Sequence, residues 1–229
     1  MKKLLTFTLF LMTLGTTFAQ KNAVAPTVKI KTLKTKVSPQ KVIDNYIKAL
    51  GGREKLEAVK STTQSSRILL GGVPLMTVTE KKMGNKFKNT QLGTGVDVIN
   101  VFDGEQGYTI QNGQKTDFSA KKNDEMKKLK TFTALSLNAA DYNAVEKISE
   151  NGEVFFVLAD KNGKFYFDTK DGLMWKSISS ANEIWILSYN KSNGILYPEE
   201  MELSSQGLDM RIRVDEFVLN KDVSDADFK

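Results

Sequence analysis

The chain has 229 residues, with 33 Lys and Arg against 27 Asp and Glu, and neither cysteine nor histidine. Without cysteine there is no disulfide, thiolate nucleophile, iron–sulfur cluster or cysteine-rich zinc site, and without histidine no Ser-His-Asp triad, imidazole base or usual catalytic zinc cage. An apolar share of 40% and a charged share of 26% are those of a globular chain rather than a disordered one.

Residues 1–19 read as a secretory signal peptide. Lys2 and Lys3 supply positive charge, Leu4–Leu14 is an apolar run broken only by Thr6, Thr8 and Thr13, and Thr17-Phe18-Ala19 ends in a small residue before Gln20. The run is about half of the ~20 apolar residues a spanning helix needs. A lipid anchor would require a cysteine at the cleavage point. The expectation is a soluble periplasmic protein beginning near Gln20, and the lack of thiols suits an oxidising compartment.

The net charge of +6 is uneven. Residues 20–37 hold Lys21, Lys29, Lys31, Lys34 and Lys36 and no acid, so residues 38–229 sum to about −1. The arginines are Arg53, Arg67, Arg211 and Arg213. A folded part near neutrality with little arginine argues against nucleic acid as a partner. Residues 20–37 read as a basic flexible linker. Its lysines suit transient contact with an anionic membrane, at up to ~1 kcal/mol each, although a solvated tether is the simpler reading.

Residues 38–229 read as one domain that opens with helices. Ser38-Pro39 is a helix start, with a capping hydroxyl before proline at the first position. Val42, Ile43, Tyr46, Ile47 and Leu50 then share a face, and Gly51-Gly52 ends the helix. A shorter helix follows over Arg53–Val59, with Leu56 and Val59 turned inward.

From Ser61 the pattern changes. Turn dipeptides recur at Gly71-Gly72, Asp103-Gly104, Asn112-Gly113, Asn151-Gly152, Asn162-Gly163, Asp171-Gly172 and Asn193-Gly194. Twelve runs rich in β-branched and aromatic residues lie between Thr62 and Leu219. In the last, Met210, Ile212 and Val214 alternate with Arg211, Arg213 and Asp215, giving one buried and one wet face. The fold class is mainly β with a few helices (α+β): one meandering antiparallel sheet, which at this length must curl. Ser119–Lys130 interrupts it as a lysine-rich helix with Met126 and Leu129 as its apolar pair. Thr131–Ala140 then shows no strand alternation.

No phosphate loop, glycosidase carboxylate pair or complete calcium loop is present. Ser119-Ala-Lys-Lys122 matches Ser-x-x-Lys by letter but lacks the partner motifs of that hydrolase class. The remaining features are apolar. Met76, Phe102, Phe156, Trp175, Trp185, Met210 and Ile212 are candidates to line a ligand cavity, although for any single one a place in the core is the commoner outcome.

Val42–Lys60, with its Tyr-Ile-Lys-Ala-Leu-Gly-Gly-Arg-Glu-Lys-Leu run, resembles the opening of a bacterial group of exported proteins related to the periplasmic outer-membrane lipoprotein-sorting carriers (LolA/LolB-like). Val101–Thr116 resembles the central hairpin of that group, and Val223–Phe228 resembles its ending. A similar module accompanies some insulinase-type zinc peptidases, whose metal motif needs histidines that are lacking here. The resemblance implies a half-open β-barrel around a hydrophobic cavity, a helical lid supplied by Ser119–Ala140, and acyl chains as ligand. The carriers hold the lid with an arginine, and Arg67 is the early-strand arginine, so Arg67, Met126 and Leu129 are the lid-contact candidates.

The leading expectation is a non-catalytic periplasmic carrier for a lipid or a lipoprotein acyl chain, without metal or cofactor. The alternative is an envelope protein-interaction or scaffold module with a filled core. A histidine-free hydrolase is the third reading.

Overall fold

A computed structural model of the chain describes residues 30–161 and 163–229. The signal-peptide reading and most of the linker reading lie outside the described residues.

The described residues form one antiparallel sheet of fourteen strands built from two meanders. The first contains β2 (Ser61–Leu70), β3 (Val73–Met83), β4 (Lys86–Gly93), β5 (Val96–Phe102), β6 (Gly107–Gln111) and β7 (Gln114–Asp117). The second contains β8 (Val145–Glu150), β9 (Glu153–Asp160), β10 (Gly163–Asp168), β11 (Met174–Ser179), β12 (Asn182–Ser192), β13 (Ile195–Ser205) and β14 (Leu208–Leu219). β14 pairs with β2 and joins the two. A strand β1 (Ile30–Leu33), inside the stretch read as a linker, pairs with β8. The curled sheet therefore runs from an edge at β1 to an edge at β7 and does not close.

Hairpin turns set the register. Asn112-Gly113, Asn151-Gly152 and Asn193-Gly194 all have positive φ at both positions, as tight two-residue hairpins require. In β14, Met210, Ile212 and Val214 are buried and Arg211 and Arg213 exposed, as the alternation predicts. A bulge between Val214 and Glu216 then shifts the phase, so that Phe217 and Leu219 continue the buried face.

That face carries the helices. In α1 (Pro39–Ala49), Ser38 Oγ accepts the Lys41 N–H at 3.3 Å, and Val42, Ile43, Tyr46 and Ile47 are buried. They pack on Leu158, Phe165, Phe167, Met174 and Leu219 from β9, β10, β11 and β14. The Tyr46 and Phe167 rings lie 5.2 Å apart. Burying each large side chain contributes about 1.5–3 kcal/mol. The Leu196 N–H donates to Leu50 O at 2.8 Å, which ties the helix end to β13. In α2 (Arg53–Ala58), Leu56 is completely buried in the same core.

The interruption is a crossover. It leaves β7 at one edge and enters β8 next to the other edge strand. It contains α3 (Ala120–Met126), shorter than the Ser119–Lys130 expected, and two single turns of tight helix, Thr133–Ser136 and Ala139–Asp141. Those turns pack against α1. The crossover thus travels across the helix-bearing face from edge to edge.

The opposite face has its own cluster of Ile148, Phe155, Val157 and Tyr166, with Trp175 stacked on Phe155 at 4.4 Å. The C-terminal turn Asp225–Phe228 is fixed by Lys81 Nζ on Asp227 Oδ1 at 2.5 Å and by an ion pair between Lys86 and Asp225, with Phe228 buried.

Candidate functional site

The helix-bearing face of β2–β6 and β12–β14 changes character along the strands. Residues directly opposite one another in neighbouring strands share a face, so the register gives rows across the sheet. One row runs Ile186–Met201–Ile212–Ile68–Met76. Met201, Ile212, Ile68 and Met76 of this row form, with Ile184, Leu203 and Met210, an apolar cluster in which every described member comes from the sheet or its hairpins and none from a helix, while Ile186 packs on the helix-bearing core.

The next two rows are largely polar. Ser66, Val78, Gln91 and Val98 face one another, followed by Gln64, Glu80, Asn89, Asn100 and Thr109. Gln91 Nε2 donates to Asn89 Oδ1 at 2.8 Å, and Thr109 Oγ1 donates to Asn100 Oδ1 at 2.7 Å. All four of these side chains are buried. Lys82 and Glu80 form an ion pair of 2.8 Å on this face.

Apolar character returns in the row beyond. Phe87 and Phe102 stack with centroids 6.1 Å apart, and Phe118, Met126 and Leu129 of the crossover pack on them. Phe118 also receives Lys122, whose Nζ sits 3.3 Å above the ring centroid. Burial lowers the pKa of that lysine to about 8.

The structure divides the expected lining residues between two faces. Met76, Met210 and Ile212 share the all-sheet cluster, and Phe102 lies in the cluster under α3. Phe156 packs against the α1 core. Trp175 and Trp185 lie on the opposite face. The register slips between Tyr166 and Phe167, and this bulge turns Trp175 and Lys176 to the same side, with Trp185 opposite Lys176. Lys176 Nζ lies 4.6 Å from the Tyr166 centroid and 4.7 Å from that of Trp175, and it pairs with Glu150 at 3.3 Å.

The lid candidates divide too. Met126 and Leu129 meet Phe102, whereas Arg67 points from the opposite face of β2. There its Nε and one terminal nitrogen bond both Asp215 carboxylate oxygens at 2.8 and 2.6 Å. The guanidinium holds the Asp215 carboxyl below the usual carboxylate range. The crossover is held instead by packing and by Asn123 Oδ1, which accepts the Gly107 N–H at 3.0 Å.

Ser119 is a helix cap: its Oγ accepts the Lys122 backbone N–H at 3.3 Å. That accounts for the Ser-x-x-Lys spacing without nucleophile chemistry. Beneath α1, the Tyr46 hydroxyl bonds that of Tyr189, which donates to Met174 O at 2.7 Å. Burial pushes the Tyr46 pKa up to about 12 and raises that of Tyr189 as well. Among the described residues no group of three or more acidic side chains is placed to hold a metal ion, and no helix is long and apolar enough to cross a membrane.

The arrangement sets a belt of buried hydrogen-bonding side chains between two apolar clusters on one sheet face. The polar belt of Asn89, Gln91, Asn100 and Thr109 was missed by sequence reasoning. The available signal was strand parity, since Asn100 alternates with the buried Val98 and Phe102.

No protein-family model and no curated protein matches the sequence. Solved structures do match. A DUF1329-family protein from Desulfovibrio piger superposes with a TM-score of 0.55 at 10% identity, covering 84% of this chain and 98% of the other. A putative outer membrane lipoprotein-sorting protein domain from Vibrio parahaemolyticus superposes with a TM-score of 0.54 at 11% identity, covering 83% and 97%. The agreement extends over nearly the whole of both other chains, so the protein shares the fold of these two solved structures.

Proposed function

We propose that the protein is a non-catalytic periplasmic carrier, exported by residues 1–19, that binds a lipid or the acyl chain of a lipoprotein on the helix-bearing face of its sheet. The observation that carries this reading is the all-sheet cluster of Ile68, Met76, Met210 and Ile212, buried apolar residues with no helix among the described members of their cluster. The shared fold supports it, as does the crossover strapped across the same face. Each acyl methylene removed from water there contributes ~0.8 kcal/mol. Met76, Met210, Ile212 and Phe102 are the proposed acyl contacts, with Met126 and Leu129 as the strap over Phe102.

The test is native mass spectrometry of protein purified from the periplasm without detergent, followed by solvent extraction. The expected result is a stoichiometric mass excess that extracts as an acylated molecule. An apoprotein mass that stays unchanged after incubation with phospholipid and acylated peptide refutes the proposal.

One observation favours a second reading, an envelope protein-interaction module. Under α1 the same face is already filled by Val42, Ile43, Leu56, Leu158 and Phe167, all at most 1% exposed. Recovery of a cross-linked envelope protein with no bound lipid would select that reading.

A further inference from the structure

The polar belt says what kind of acyl compound the face accepts; this step rests on the acyl-binding reading above. A face meant only for hydrocarbon gains nothing from buried amides, because each buried polar group costs free energy unless it is hydrogen-bonded. Here Asn89, Gln91, Asn100 and Thr109 stand between two apolar clusters on one face. Two of the bonds close within the belt, from Gln91 to Asn89 and from Thr109 to Asn100. The Asn100 side chain is nevertheless incomplete. It is 2% exposed, its Oδ1 takes the Thr109 hydroxyl proton, and its Nδ2 has no partner. A buried amide nitrogen of this kind is a donor that calls for an acceptor oxygen.

Charge narrows the choice. Among the described residues of these rows the ionised groups, Lys82 and Glu80, neutralise each other at 2.8 Å, and Lys122 of the crossover is seated over the Phe118 ring. An anionic carboxylate placed there would be desolvated and would have to draw Lys82 or Lys122 out of its present contact, whereas a neutral carbonyl loses far less on leaving water. We infer that Asn100 Nδ2 binds the carbonyl oxygen of an uncharged acyl ester or acyl amide, so that the site selects linked acyl groups over free fatty acids and plain hydrocarbon. The apolar rows on either side then take the chain and the apolar part of the other substituent.

The experiment compares three probes of one chain length: decane, decanoate and the N-methyl amide of decanoic acid. Each displaces a fluorescent hydrophobe from the full mature protein and from Asn100→Leu. In the wild type the amide should compete better than decane by a factor of about three to ten, the range set by one net hydrogen bond, and better than decanoate. In Asn100→Leu the amide and decane should compete equally. The carbonyl stretch of the wild-type-bound amide should also lie at lower frequency than in hydrocarbon solvent, a readout that holds if the variant fails to fold.

Equal competition by amide and decane in the wild type, or a carbonyl band unshifted on binding, overturns the inference and leaves acyl binding standing. An amide preference that survives in Asn100→Leu overturns the role of Asn100. Decanoate as the best competitor overturns the neutral class. Displacement by none of the three refutes acyl binding itself.

Discussion

The Phe118 ring packs against Gly107: a Cβ at Gly107 would stand 2.4 Å from the ring and 2.6 Å from Val101 O of the neighbouring strand. The two are also joined through the backbone, with the Phe118 N–H donating to Gly107 O at 2.7 Å. This contact seats the start of the crossover on β6. Gly107→Ala should unseat Phe118 and destabilise the fold by about 1–3 kcal/mol, the usual cost of overpacking. For a chain of this size the melting temperature should fall by roughly 2–4 °C per kcal/mol. Amide exchange should quicken in α3 more than in α1, and equal quickening in both would contradict the seating role.

The buried ion pair on the opposite face makes an asymmetric prediction. Lys176 is held by Glu150 at 3.3 Å and Glu183 at 3.7 Å, with aromatic rings beside it. Removing Lys176 leaves the buried Glu150 carboxylate uncompensated, whereas Lys176 itself would keep Glu183 if Glu150 were lost, so Lys176→Met should cost about 3–5 kcal/mol. Replacing both, as Lys176→Met with Glu150→Leu, should be close to neutral. Chemical denaturation of the two variants decides it, and a double variant as unstable as the single one would show that the pair itself supplies net stability.

The C-terminal turn should be acid-labile. Lys81 first, and then the Ser224 N–H bonded at 2.8 Å, hold the Asp227 carboxyl below the usual carboxylate range. A depressed folded-state pKa contributes stability that is present above the unfolded value near 3.9 and is lost as pH falls through the folded value. Amide protection around Phe228 should therefore be retained at pH 5 and lost on acidification below about pH 4. Asp227→Asn should weaken protection at pH 5 and flatten its pH dependence, and an unchanged acid transition in that variant would reassign the effect.

Leu56 tests the α1 core. It is completely buried among residues of two helices and the sheet. Leu56→Ala should cost about 2–5 kcal/mol, depending on how far the site collapses. Calorimetric unfolding measures it, and a loss below 1 kcal/mol would mean that the core repacks around the gap.

Most of the fold was legible because local signals agreed with one another. Ser38-Pro39 and Gly51-Gly52 bracket a five-residue apolar face, and α1 lies where they put it. The Asn-Gly turns place the hairpins. The misses have physical causes. β7 is Gln-Lys-Thr-Asp, exposed throughout, so it carries no apolar alternation and owes its existence to pairing with β6. β1 is likewise short, and its pairing with β8 spans more than a hundred residues.

The site was less legible than the fold. Trp175 lies on the opposite face because of a bulge, and a bulge depends on the partner strand rather than on the residues beside the tryptophan. Arg67 could have been placed by parity, since the apolar Ile68 beside it must face inward. The polar belt reads as a solvated surface until the register joins Asn89, Asn100 and Thr109 to the rows of Phe102 and Val98.

The most direct test of the central claim is the dependence of affinity on chain length, measured with N-methyl acyl amides from six to fourteen carbons. Burial on the helix-bearing face predicts that affinity rises by about threefold to fourfold per methylene, the equivalent of ~0.8 kcal/mol each, until the chain outgrows the row of Ile68, Met76 and Ile212. That slope should fall in Ile68→Asn. An affinity flat in chain length would contradict acyl burial on this face.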